Sequence, residues 1–114
     1  MVLRLDPEKL DNPDLDLRYE IPDLLAERSA GLIMDDGYDY EPNGNVMQIY
    51  LRTPDLNSAL TQVIAFLENE HLHGNHLGDA AQIGISESDA SATREFRVVY
   101  PPGAPGVIVP PTVR

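Results

Sequence analysis

Apolar and polar residues recur with two different periods along this chain, and these periods predict its elements. The clearest element is a helix over residues 53–70, because six apolar side chains recur there at spacings of three and four residues. They are Leu56, Ala59, Leu60, Val63, Ile64 and Leu67. The remaining positions are polar, so we expect this helix to cover one side of a sheet. Thr53, Pro54 and Asp55 supply a capping hydroxyl, a first-turn proline and a first-turn acid.

Alternation of apolar and polar residues, which is typical of strands with one buried side, marks the rest of the sheet. It predicts strands over residues 15–21, 32–40, 46–51, 81–85 and 94–100. The turn formers of 41–45 predict a hairpin between the second and third strands, and the polar turn 87–93 predicts another between the last two. A short helix is predicted from Pro22 to about Ser29, with Gly31 as its left-handed cap.

Three segments have no strong period. The first fourteen residues are predicted to form an extended arm and a loop, and residues 71–79 a helix end and a loop. In residues 101–114, seven of fourteen positions are proline or glycine, which excludes a helix or an inner strand. The residues Val107, Ile108 and Val109 could dock there against a sheet edge.

Together these elements predict one α+β domain over residues 1–100, followed by a Pro/Gly-rich tail over 101–114. One main helix and one short helix are expected to cover a single antiparallel sheet of about five strands. The predicted topology is ferredoxin-like.

The formal net charge of -11, with Lys9 as the only lysine, limits the classes of partner. Nucleic-acid binding draws on clustered Lys and Arg, so we expect no nucleic-acid partner. A basic protein partner would be attracted at long range. With no cysteine, no signal-peptide pattern and no long apolar run, we expect a cytoplasmic protein that does not contact membranes.

The most conspicuous chemical cluster is acidic and aromatic. It comprises Asp35, Asp36, Tyr38, Asp39, Tyr40 and Glu41. As a calcium loop starting at Asp39 the segment fails, because its twelfth position is Tyr50 where a bidentate glutamate is required. A solvated acidic strand is the ordinary alternative. As a protein-binding surface the cluster combines rigid tyrosine contact area with acids that suit a basic partner.

All three histidines, His71, His73 and His76, lie within six residues beside Glu68, Glu70 and Asp79. Imidazole and carboxylate could hold zinc or nickel, which makes these histidines weak metal candidates. Their spacing matches neither HExxH nor a zinc finger. The preferred interpretation is that histidine interacts with the C-terminal carbonyl groups of the main helix.

No phosphate cradle, nucleophile elbow or dinucleotide fingerprint occurs, so we predict no catalytic residues, no cofactor and no enzyme activity. The leading hypothesis is a small acidic protein-binding module that neutralises a basic partner through Asp35, Asp36, Tyr38, Asp39, Tyr40 and Glu41. In size and acidity it is similar to bacterial immunity proteins, which block toxin domains. A structural subunit that forms homodimers through a sheet edge and the tail is the main alternative, and a metal-dependent enzyme using the histidines is the third.

Overall fold

The computed structural model describes residues 1–10, 16–42, 46–72, 74–86, 95–104 and 106–109. In chain order these residues form β1 (Val2–Leu5), α1 (Leu17–Arg28), β2 (Met34–Tyr40), β3 (Met47–Arg52), α2 (Leu56–Asn69), β4 (His71–Leu72), β5 (Asn75–His76), β6 (Ala81–Ile85), β7 (Phe96–Tyr100) and β8 (Val107–Ile108). Short 3-10 turns lie at Pro7–Lys9 and Leu77–Asp79. The predicted α+β class is confirmed.

Six of the strands form one antiparallel sheet in the order β2-β3-β1-β6-β7-β8, while β4 and β5 form a separate ribbon. Both predicted hairpins are confirmed, because β2 pairs with β3 and β6 pairs with β7. The polar turn predicted over 87–93 lies outside the described residues, as do residues 43–45 of the other hairpin loop. The strand order is compatible with a ferredoxin-like topology, which stays a prediction.

Strand β1 is the centre of the sheet, although its residues were expected to form an extended arm. It pairs with β3 on one edge and with β6 on the other. Val2, Leu3 and Leu5 are all fully buried. A strand whose two sides are both covered carries consecutive apolar residues instead of an alternating pattern, so the alternation criterion could not detect it.

The strand predicted over residues 15–21 is wrong, because residues 17–28 form α1. Leu17, Ile21 and Leu25 are buried at four-residue spacing on one side of this helix. Leu17 and Ile21 satisfy a period of two as well as a period of four, which explains the error. Tyr19, the apolar position between them, is 49% exposed, as a helix requires and a one-sided strand does not.

Helix α2 confirms the main helix and shows where its cap lies. The carboxylate of Asp55 accepts a hydrogen bond from the backbone N–H of Ser58 at 3.2 Å, so Asp55 is the N-cap residue. The Thr53 hydroxyl accepts a hydrogen bond from the backbone N–H of Asp55, just before the helix begins. Ala59, Val63 and Leu67 are buried as predicted, and Phe66 is buried beside them.

The sheet has two covered sides. Both helices pack on the side that carries Leu3, Leu5, Met47 and Ile49, which we call the helix side. A smaller core lies on the second side and consists of Val2, Tyr50, Phe96, Val98 and Ile108. Its cover includes β8, from the segment predicted as a tail, which pairs with β7 as the last strand of the sheet.

Gly84 allows this second core to close. A side-chain carbon at this position would lie 2.7 Å from Cβ of Phe96 and 3.2 Å from Cγ1 of Val2. The pairing of β6 with β7 also shifts register between Ile83 and Gly84. Irregular pairing of this kind bends a sheet, and here it accompanies the approach of β7 and β8 to the second side. In the described part of the chain, neither helix has the length and apolar character needed to cross a membrane.

Candidate functional site

The six residues predicted to bind a partner all lie on β2 or just after it, and β2 is an outer strand of the sheet. Asp35, Asp36 and Tyr38 are exposed, whereas Asp39, Tyr40 and Glu41 are half-buried. The register explains the difference. Tyr38 and Tyr40 lie opposite Ile49 and Met47 on the helix side, whereas Asp39 lies opposite Gln48 on the second side. The predicted set is therefore divided between two sides of the sheet.

On the helix side the two tyrosines form a cluster with the start of α1, which we call the Arg18 cluster (Arg18, Tyr19, Tyr38 and Tyr40). The guanidinium carbon of Arg18 lies 4.4, 5.2 and 5.8 Å from the ring centres of Tyr19, Tyr38 and Tyr40. The Tyr38 ring meets the other two edge to face, at 6.2 and 5.8 Å between centres. These are favourable cation–π and aromatic geometries.

Hydrogen bonds fix the guanidinium in the Arg18 cluster. Arg18 donates to the hydroxyls of Tyr19, at 2.8 Å, and of Tyr40. These bonds raise the pKa of Arg18, first through Tyr40, and the bond from Arg18 lowers the pKa of Tyr19. The bond to Tyr19 in turn raises the pKa of Tyr38. Tyr19 and Tyr38 remain 49% and 40% exposed, so the cluster presents a positioned aromatic surface to solvent.

On the second side, Asp39 and Glu41 belong to an internal polar network together with Arg4, Gln48 and Tyr50. Arg4 donates to both oxygens of Glu41, at 2.6 and 2.9 Å, and the amide of Gln48 donates to Glu41 at 2.9 Å. The Tyr50 hydroxyl lies 3.1 Å from the carboxylate of Asp39 and 3.1 Å from the side-chain carbonyl of Gln48.

This network holds strands together. Gln48 is only 1% exposed, and its amide also donates to the backbone carbonyl of Val109, which ties the segment after β8 to β3. The Arg4 bonds lower the pKa of Glu41, so its carboxylate stays ionised. A cleft of ≈ 380 Å³ borders the network and is lined by Arg4, Glu41, Pro42, Gln82 and residues 107–109. Asp39 and Glu41 therefore have a structural role that the sequence did not indicate.

A second cleft, of ≈ 240 Å³, lies between α1 and α2. Leu25 and Phe66 supply much of its apolar wall, and Arg28 forms an ion pair with Glu70 beside it. The guanidinium of Arg28 also lies 5.6 Å from the ring centre of Phe66. The two ends of the helices are thus joined by a charged pair over an aromatic ring.

Two of the three histidines lie in described strands. His71 and His76 are paired residues of the β4–β5 ribbon, and His73 lies outside the described residues. The ring of His76 contacts the carbonyl of Glu68 at 3.0 Å and the carboxylate of Asp79 at 3.2 Å. Both contacts raise the pKa of His76, the carbonyl of Glu68 most strongly. For His76, this geometry confirms the predicted interaction with the C-terminal end of the main helix.

Among the described residues, no group of three or more histidine, aspartate or glutamate side chains is arranged to hold a metal ion. Comparisons of the chain with protein-family models, with curated proteins and with solved structures found no match. The candidate site consists of the exposed acids of β2 and the Arg18 cluster beside them.

Proposed function

We propose that this chain is a non-catalytic protein-binding domain that holds a basic protein partner on the surface formed by β2 and the Arg18 cluster. The observation that carries the proposal is the contact between α1 and β2. There, exposed tyrosine rings held in place by Arg18 border a strand with three acids and no basic residue. Tyrosine and arginine are enriched among the residues that dominate binding energy at interfaces, and a tyrosine ring offers large contact area with little side-chain freedom to lose.

Charge supports a basic partner. The first 41 residues contain twelve of the nineteen acids and four of the eight basic groups. Such a distribution raises the association rate with a positively charged protein and repels acidic ones. Neutralisation of a basic toxin domain by an immunity-type protein is one activity of this class.

The contacts of the acids on β2 and at its end differ, and they favour some of these acids over others as contacts for the partner. Arg4 partly compensates the charge of Glu41 inside the protein, and the carboxylate of Asp39 accepts a hydrogen bond from the neutral hydroxyl of Tyr50. Asp36 is exposed on the outer strand, and we assign the partner-facing negative charge first to this residue and to its neighbour Asp35. Self-association through β2 is the less favoured alternative, since two copies would bring their acids together.

The test is capture of partners from an extract of the native host with the untagged full chain, at low and high salt. We expect a basic protein that is released by salt and that binds the Asp36→Lys variant about three- to tenfold more weakly, as expected for a reversed charge at an interface. Glu95→Lys makes the same charge change before β7, four strands away from β2, and is the matched control. Equal loss in both variants would show a general charge effect and would contradict this surface. Recovery of no basic protein would contradict the proposed function.

A further inference from the structure

The backbone of β2 directs hydrogen-bonding groups toward its outer edge. The N–H of Glu41 donates to the carbonyl of Val46 at 2.9 Å, which makes these two a hydrogen-bonded pair of the β2–β3 ladder. In an antiparallel ladder such pairs alternate with non-bonded pairs. The backbone N–H and C=O groups of Asp39, which lies opposite Gln48, are therefore directed toward β3. The backbone N–H and C=O groups of Tyr38 and Tyr40 point away from β3.

Within the described residues, this edge has no strand beside it, because β2 is the first strand in the sheet order. Residues 35–38 of this strand are exposed, and Asp39 and Tyr40 are half-buried. An open edge is a template for another strand, and proteins protect such edges with charges and bulges. Both devices are present here: three acids on β2, and a register shift between Asp35 and Tyr38.

The acids also define what can pair with the edge. A second copy of β2 would bring Asp35, Asp36 and Asp39 against the same three acids, whereas a strand with lysine or arginine would meet opposite charge. Repulsion of one partner and attraction of another by the same residues is a common source of specificity.

We propose that an extended, basic segment of the partner binds as an added strand on the outer edge of β2, with backbone hydrogen bonds to Tyr38 and Tyr40. This inference rests on the proposed function and specifies its binding mode, which is strand addition to a sheet edge. The regular part of the edge is short because of the register shift, so pairing is centred on residues 38–40.

The two sides of β2 predict the pattern of that segment. Residues opposite Tyr38 and Tyr40 lie on the helix side beside the rings of the Arg18 cluster, where apolar side chains pack best. The residue opposite Asp39 lies on the second side beside a carboxylate, and there a basic side chain is favoured. Opposite charges directly across a strand pair attract each other, also where the carboxylate accepts a hydrogen bond, as Asp39 does from Tyr50. The segment therefore alternates apolar and basic residues.

The experiment uses the isotope-labelled full chain and a short synthetic peptide that alternates valine and lysine, followed by the backbone amide signals of Tyr38 and Tyr40 in nuclear magnetic resonance. Two matched peptides carry N-methyl groups, one on every valine amide and the other on every lysine amide. In a paired strand, the backbone amide groups of only one of these two residue types point toward β2. A fourth peptide has the same composition without alternation.

We expect the alternating peptide to shift the Tyr38 and Tyr40 signals. We also expect one N-methylated peptide to bind at least tenfold more weakly than the other, the valine set being the weaker binder if pairing is antiparallel. Equal, salt-dependent binding of all four peptides would overturn strand addition while leaving a basic partner in place. Binding of none would count against both proposals. If the two signals instead shift with the concentration of the chain alone, the occupant is a second copy and the inference is overturned.

Discussion

Glu41 illustrates how much a single side chain contributes to the second side of the sheet. It receives hydrogen bonds from Arg4 on β1 and from Gln48 on β3, and so joins the centre of the sheet to the end of β2. Charge-assisted bonds of this type stabilise proteins more than neutral ones do, although solvent weakens a partly exposed pair.

Replacing Glu41 by glutamine keeps the shape of the side chain but removes the charge that Arg4 requires. We expect the free energy of unfolding at pH 7 to fall by about 1 kcal/mol, measured by urea denaturation. Glu95→Gln, at an exposed position, is the control and should change stability little. An unchanged stability in Glu41→Gln would contradict the role given to the network.

The lowered pKa of Glu41 also predicts a pH dependence. A carboxyl group whose pKa is lower in the folded than in the unfolded chain adds stability above its unfolded pKa, about 4.3, and this stability is lost as pH falls through the folded pKa. The parent protein should lose more stability than Glu41→Gln when the pH falls from 5 toward 3. Parallel curves for the two proteins would contradict the shift.

His76 carries the opposite pH dependence. Because its contacts with Glu68 and Asp79 raise its pKa, its contribution to stability is fully present below the unfolded pKa, about 6.5, and is lost as pH rises through the folded pKa. Nuclear magnetic resonance titration should give a pKa above that of an unfolded control peptide. In Asp79→Asn the pKa should decrease but stay raised, since the larger cause is the carbonyl of Glu68. A pKa at the peptide value in the parent protein would contradict these contacts.

At the scale of elements, the backbone conformation after helix α1 is one that a substitution can make more stable. Ala30 has φ 53 and Gly31 φ 85, and the N–H of Gly31 donates to the carbonyl of Ala26 at 2.9 Å. Two successive residues are thus left-handed, but only the second is a glycine. An alanine in this region costs about 1 kcal/mol because its side-chain carbon approaches the following carbonyl.

Ala30→Gly should therefore raise the free energy of unfolding by about 0.5–1 kcal/mol, measured by chemical denaturation at pH 7. Gly31→Ala adds a side-chain carbon to a left-handed residue and should have the opposite effect. A loss of stability in Ala30→Gly would contradict the conformation described at the end of α1.

The contact of β6 with β7 gives an equally direct expectation at Gly84. An added side-chain carbon would approach Phe96 to 2.7 Å, closer than two carbon atoms can pack. We expect Gly84→Ala to lower stability by about 1–3 kcal/mol. The contact is with Cβ of Phe96, which leucine also carries, so Phe96→Leu combined with Gly84→Ala should not recover that loss. If Gly84→Ala is neutral, β7 does not pack against β6 as described.

The elements that could be predicted from the sequence are those whose pattern fits only one period. Leu56, Ala59, Val63 and Leu67 fit only a helix, so α2 was found. Leu17 and Ile21 fit a helix and a strand, and only the third partner Leu25 decides between them. The four residues of β1 are central but too few to show a period of their own, and its first two residues, Val2 and Leu3, are both apolar.

At the scale of the whole molecule, the sequence was sufficient to predict the candidate surface. It was not sufficient to predict that the residues of this surface lie on two sides of the sheet. Asp35 to Glu41 were recognised by their density of acids and tyrosines, yet the side of the sheet that each occupies depends on the register with β3 and on the shift after Asp35. Arg18, which positions the tyrosines, lies 22 residues away in the chain from Tyr40. No local pattern joins residues that meet only through the packing of α1 against β2.

The charge of the whole molecule makes the proposed interaction sensitive to salt. The net charge of -11 acts over roughly 10 Å at 0.1 M ionic strength. Salt should therefore reduce mainly the association rate of a basic partner, because the tyrosine contacts that hold the complex are short-ranged.

The most direct test of the central claim is hydrogen–deuterium exchange of the full chain, alone and bound to the captured basic partner. We expect slower exchange at the amides of Tyr38 and Tyr40 in the complex, with little change in α2 or at Phe96 and Ile108. Protection confined to β7 and β8 or to α2, with β2 exchanging as in the free chain, would contradict it.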